Sequence, residues 1–164
     1  MSEAAGKYAY SVYTSSLMDW QARYFPTDIF KSLLGRVDKL IAERRFEVAA
    51  LVKDEIRAVG TPELNDWIEA RAGIVVPTAT LLADAQAIQK KFVGLSDPKA
   101  EYEEADAYVI ALARLRDGIV VTQESAASEK RNPKRSHYIP DVCRELGIPC
   151  ISVLGLMRRE GWTF

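Results

Sequence analysis

The sequence is short of the residues that nucleophilic and zinc chemistry use. Its 164 residues include one histidine, His137, and two cysteines, Cys143 and Cys150. That is too few for a structural zinc site. The cysteines read as small buried hydrophobes of a reducing compartment, with a disulfide between them as the alternative. Ser/His or Cys/His catalysis would rest on His137 alone, and a histidine in a polar stretch reads better as solvated or phosphate-facing. The glycine-rich turn of a dinucleotide fold and the Lys of a phosphate loop are both missing after the first predicted strand, which argues against nicotinamide enzymes and P-loop NTPases. No G-x-S-x-G elbow supports an α/β-hydrolase. Charge of either sign is not in excess: 22 basic and 23 acidic residues leave a net −1. A basic coat for nucleic acid is therefore excluded, and contact with phosphates must come from a local patch. No apolar run approaches the ~20 residues needed to span a bilayer, and the opening MSEAAGKYAY has no signal-peptide core. The reading is a cytoplasmic protein with no membrane partner.

What is present is an ordinary globular composition, 48% hydrophobic and 27% charged, in a length that makes one domain over residues 1–164. Tyr8 to Tyr13, aromatic and β-branched after Gly6-Lys7, reads as a first strand. Ser15 to Arg23 reads as a short helix. Thr27 is placed to cap the next one, whose Phe30, Leu33, Leu34, Val37, Leu40 and Ile41 make a stripe suited to a core or a dimer face. Phe46 to Ala50 is a second strand and Leu51 to Val59 a helix. Thr61-Pro62 opens another helix that ends near Gly73. Ile74 to Val76 is a strand, Thr80 to Phe92 a helix, and Glu103 to Leu115 a stronger one. Gly118 to Thr122 is the continuous apolar run of a strand buried on both faces. After a polar loop over 123–138 come a helix from Ile139 to Leu146, stopped by Gly147, a strand from Cys150 to Val153 and a helix from Leu154 to Glu160. Strands alternating with helices predict an α/β fold, a parallel sheet with helices on both faces. Ligands of such folds bind at the carboxyl ends of strands, which directs attention to the residues after Tyr13 and after Thr122.

Acidic residues from separate elements are expected to converge near those ends. Glu55 lies on the helix after the second strand, Asp106 in the first turn of the 103–115 helix, and Glu124 two residues beyond the central strand. Carboxylates drawn from several element ends suit hard divalent cations with oxygen ligands, and two such ions can activate water for phosphodiester cleavage. Each acid taken singly reads as readily as a cap or a solvated side chain.

The order strand–x-T-S–helix, a helix Glu, A-D-x-x-I-A and V-V-T-x-E resembles the PIN-domain ribonucleases, many of which are toxin halves of bacterial toxin–antitoxin pairs (VapC-like). The tail Ile139-Pro140-Asp141-Val142-Cys143, then Cys150-Ile151-Ser152-Val153, then Gly161-Trp162-Thr163-Phe164, resembles a PIN-like bacterial branch. The likeness runs from Tyr8 to Phe164. It implies a PIN-like fold and a Mg²⁺- or Mn²⁺-dependent endoribonuclease toxin, with RNA as substrate and a cognate antitoxin protein as partner. A homodimer is compatible with it. Glu55, Asp106 and Glu124 match acidic positions that hold metal in the family, with Asp141 a weaker match. Thr14 and Ser15 match the hydroxyl pair after the first strand, and Thr122 the hydroxyl before the last acid. Lys130, Arg131, Lys134 and Arg135 form a loop cluster that either binds RNA phosphates or is simply solvated. One departure matters most: Tyr13 stands where the family has its first Asp. A phenol with a pKa near 10 is a poor ligand for Mg²⁺. The expectation is therefore a weakened or inactivated nuclease. The alternative is a catalytically dead module that binds RNA or an antitoxin, and a more distant one is an unrelated doubly wound nucleotide-binding protein.

Overall fold

The computed structural model describes residues 8–164. The Gly6-Lys7 pair and most of the MSEAAGKYAY segment lie outside the described residues. Five short strands form one parallel sheet: β1 (Tyr10–Val12), β2 (Phe46–Ala49), β3 (Val75–Val76), β4 (Ile119–Val121) and β5 (Cys150–Ile151). They connect through α1 (Thr14–Met18), which continues as a π-helical segment over Asp19–Tyr24, and α2 (Lys31–Ala42), α3 (Ala50–Val59), α4 (Pro62–Glu69), α5 (Thr78–Lys91), α6 (Asp106–Arg116) and α7 (Ile139–Leu146), with α8 (Val153–Arg159) after the last strand. The expected α/β class and parallel sheet are what the chain forms.

The strand order is β3-β2-β1-β4-β5. From β1 the chain steps outward to β2 and β3, then returns to the other side of β1 for β4 and β5. The direction of winding thus reverses between β1 and β4, and in open parallel sheets such a reversal opens a crevice at the strands' carboxyl ends. Tyr13 follows β1 and Thr122 follows β4, so both fall at that crevice. Alternation along β1 assigns the two faces. The Ser11 hydroxyl donates to the Val109 carbonyl of α6 at 2.7 Å. Val12, on the opposite face, shares a small internal space with Leu33 and Val37 of α2 and with Leu156 and Met157 of α8.

Local chemistry explains most element ends. Thr61 caps α4, its hydroxyl accepting from the Leu64 N–H at 3.2 Å with Pro62 in the first turn. Gly147 closes α7 at φ 71°, in the left-handed region that glycine adopts without cost. Two expectations need correction. Thr27 does not cap the second helix: α2 begins at Lys31 after Phe30, with no side-chain cap, because residues 26–30 are held in a turn by Phe30 N–H to Pro26 carbonyl at 2.9 Å. The helix read from Glu103 begins only at Asp106. That helix, α6, is also not amphipathic. Asp106 through Ala113 are all buried, since α6 lies between the sheet and α5, and a helix enclosed on all sides reads apolar all round. Cys143 is buried, Cys150 is half-buried, and both are free thiols. Among the described residues no helix is long and apolar enough to cross a membrane.

Candidate functional site

The crevice at the β1/β4 reversal is a cleft of about 930 Å³ whose lining includes Tyr13, Thr14, Ser15, Glu55 and Glu124. Chain direction puts them there: β1 and β4 end side by side, with Tyr13 N–H bonded to the Val121 carbonyl at 2.9 Å. The segments that leave these strands bring their first side chains to one place. The Ser15 and Thr122 hydroxyls lie 3.4 Å apart. Ser15 Oγ accepts from Gln123 N–H at 3.0 Å, and Thr122 Oγ1 from Glu124 N–H at 3.0 Å. These two hydroxyls therefore shape the turn that presents Glu124. The Gln123 side chain accepts from Val153 N–H at 2.8 Å and ties the same turn to α8.

Tyr13 is the centre of the arrangement. Its hydroxyl donates to Asp106 Oδ1 at 2.9 Å. Thr14 Oγ1 donates to Glu55 Oε1, and Glu55 Oε2 accepts from the Ala105 N–H at 3.3 Å, next to Asp106 in the chain. Glu124 Oε1 accepts from the Ile139 N–H at 3.0 Å, a carboxylate at the first turn of α7 where the helix dipole favours it. Glu55, Asp106 and Glu124, far apart in sequence, thus gather around one phenol. Asp106 is only 4% exposed and lies beneath the cleft, whose lining includes Tyr13.

The titration behaviour follows from this crowding. Burial, then the Glu124 charge, push the Asp106 carboxyl up to about 7, against the Tyr13 hydrogen bond that lowers it. Burial also raises Glu55, while the Thr14 hydroxyl and the Ala105 N–H pull it down. Burial and the neighbouring Asp106, Glu55 and Glu124 hold the Tyr13 phenol well above its usual value near 10. Tyr13 is consequently a neutral donor throughout the physiological range.

Asp141 serves α7 instead of the cleft. Its Oδ2 accepts from Tyr138 N–H at 2.8 Å and from Ala127 N–H at 2.9 Å, a cap that also fastens the preceding loop. The basic cluster divides. Arg131 and Lys134 are exposed, and the Lys130 ammonium lies 4.3 Å from the Tyr138 ring centre. Arg135 turns inward, reaching Asp106 Oδ2 at 3.5 Å and Glu124 Oε2 at 3.9 Å. His137 stands between the Phe92 ring and Glu145 Oε2, 3.0 Å from the latter. Sequence reasoning missed Glu104, 3.9 Å from Arg135, and the cleft wall of Met18, Leu51, Val59 and Tyr102. The acidic run Glu101-Tyr102-Glu103-Glu104 just before Asp106 was the available signal.

A Mg²⁺ or Mn²⁺ ion needs several oxygen donors converging at about 2.1 Å with their lone pairs free. Here Tyr13 keeps its proton and engages Asp106. Thr14 and Ala105 engage Glu55, while Ile139 and Arg135 engage Glu124. Among the described residues no group of three or more His, Cys, Asp or Glu is disposed to hold a metal ion. The donor set as arranged does not fit a divalent ion.

Fold and site together define a parallel α/β protein with an acid- and hydroxyl-lined cleft at its switch point. The chain belongs to the family described as Domain of unknown function (DUF4411), whose family model matches residues 10–164. Comparison with curated proteins gives no match.

Proposed function

We propose that this chain has the scaffold of a PIN-type endoribonuclease, of the kind that serves as the toxin of a toxin–antitoxin pair, closed at its catalytic centre by Tyr13. The observation that carries this reading is the placement of Tyr13 at the end of β1, its hydroxyl on Asp106 and with Glu55 and Glu124 beside it. A shorter, ionised side chain there would add a fourth carboxylate to a cluster already supplied with supporting hydroxyls from Thr14, Ser15 and Thr122. In the chain as it stands, Tyr13 donates a proton where the reading requires an acceptor. Its ring also fills space at the floor of the cleft. RNA and a protein antitoxin are the partners that this reading implies.

The test is a paired cleavage assay of the protein and its Tyr13→Asp variant on several RNAs. The variant is expected to cleave in Mg²⁺ or Mn²⁺, to lose that activity in EDTA, and to lose it again when Asp106→Asn is added, since ligands of one centre act as a unit. A variant silent on every RNA and unchanged in metal affinity sinks the ribonuclease reading. A second reading, a non-catalytic module that binds RNA or an antitoxin, is favoured by the same phenol and by the exposure of Arg131 and Lys134. It takes over if RNA binding persists while the variant stays silent.

A further inference from the structure

The sequence places Arg135 in a basic loop that either binds RNA phosphates or is solvated, yet its side chain is only 17% exposed. Its guanidinium is held from several sides. One nitrogen donates to the Leu95 carbonyl and lies 3.5 Å from Asp106 Oδ2 and 3.9 Å from Glu104 Oε2. The other terminal nitrogen is 3.9 Å from Glu124 Oε2, and the group stacks 4.5 Å from the centre of the Tyr138 ring. The backbone that carries it is docked as well. The His137 ring packs on Phe92 with centres 5.5 Å apart. Ser136 lies so close to Gly94 that a Cβ at Gly94 would come within 1.8 Å of its hydroxyl.

Glu104 and Glu124 outnumber the single guanidinium, and the excess of negative charge grows as Asp106 ionises. Packed together with little water, these carboxylates repel one another unless a cation stands among them. We infer that Arg135 is the resident cation of this centre, a tethered guanidinium that stands among Glu104, Asp106 and Glu124 in place of a free ion, and that removing it turns the cluster into a binding site for a hard divalent cation. This rests on the proposed reading of the cleft and concerns its regulation: the protein's own loop, and not only Tyr13, keeps metal out. A guanidinium satisfies carboxylates through directed hydrogen bonds and a delocalised single charge. A divalent ion brings twice the charge but requires the oxygens to be unengaged. The two occupants therefore compete, and Arg135 lowers the affinity for a divalent ion whether or not Tyr13 is replaced.

The experiment is Mn²⁺ titration calorimetry with melting curves on four proteins: the chain itself, Arg135→Met, Tyr13→Asp, and Tyr13→Asp combined with Arg135→Met. Methionine keeps a long apolar stem against Tyr138 and deletes the charge. Arg135→Met is expected to bind Mn²⁺ at least about tenfold more tightly than its Arg135 parent in the Tyr13→Asp background. Its melting temperature should rise with Mn²⁺ where that of the unaltered chain does not. Equal Mn²⁺ affinity with and without Arg135 overturns the inference. Should Arg135→Met fail to fold, Arg135→Met/Glu124→Gln decides: removing one repelled carboxylate should restore folding, and a double variant as unstable as the single one assigns Arg135 to packing alone. The two readings fail separately. Mn²⁺ binding without RNA cleavage leaves this inference standing and removes the ribonuclease, whereas cleavage by Tyr13→Asp with no effect of Arg135 on Mn²⁺ does the reverse.

Discussion

Asp106 shows at the level of one residue how position alters chemistry. An aspartate in the unfolded chain titrates near ~3.9, whereas burial and Glu124 push the folded one up to about 7. Between those values the folded state binds the proton and the unfolded state has lost it, so stability falls as pH rises. The acid thus destabilises the fold at neutral pH relative to a neutral isostere, because burial and Glu124 outweigh the Tyr13 hydrogen bond and the Arg135 charge. Asp106→Asn keeps an oxygen to accept from Tyr13 and removes the charge. Urea unfolding of the two proteins between pH 4 and 7 should show the variant gaining on the parent by up to ~1.4 kcal/mol per pH unit. A constant difference across that range would mean that Asp106 ionises like an exposed carboxylate.

Among the elements, β1 and β4 hold the site in register, and their starting ends approach closely at Gly118. At Gly118, just before β4, an added Cβ would meet the Ala9 carbonyl oxygen at 2.4 Å, a backbone atom that cannot turn aside. Gly118→Ala should cost about 1–3 kcal/mol as the strands are forced apart. Its melting temperature should fall by ~2–4 °C per kcal/mol for a domain of this size. Gly35, inside α2, supplies the internal control. Nothing lies within 4 Å of its added Cβ, so Gly35→Ala should raise stability by up to ~1 kcal/mol through helix propensity. Thermal melts of the pair distinguish the two effects, and equal shifts would contradict this account of the sheet. The same element level shows why α6 was only partly legible. The spacing of Ala105, Val109, Leu112 and Ala113 by itself suggests one apolar side, but the helix is enclosed by α5 and the sheet and is buried all round.

For the molecule as a whole, a net charge of −1 and an acidic cleft leave few routes for a polyanion. Lys130, Arg131 and Lys134 remain for phosphates once Arg135 is committed to carboxylates. If RNA uses that loop, replacing those three by Ala should reduce the slope of log affinity against log salt by ~0.7 per lost contact with a single strand. The comparison is fluorescence anisotropy of a labelled RNA across salt concentrations. An unchanged slope returns the loop to a solvated surface.

The sequence by itself determined the class of fold and the order of its elements. Short β-rich runs alternating with helical periods admit few arrangements but a parallel sheet, and the Thr61-Pro62 and Gly147 signals act locally enough to be read without neighbours. It also marked Tyr13, Asp106 and Glu124, each next to an element end, while Glu55, in the middle of α3, was marked by the family resemblance. Tertiary structure alone decided which of these groups touch. It set the Tyr13 hydroxyl on Asp106, sent Asp141 to cap α7, and separated Arg135 from the basic residues beside it in the chain. The physical reason is one of range. Propensity and periodicity act over a few residues, whereas the pairing of charges across 29 positions, as between Asp106 and Arg135, depends on where the β1/β4 reversal brings two distant segments into the same poorly hydrated space.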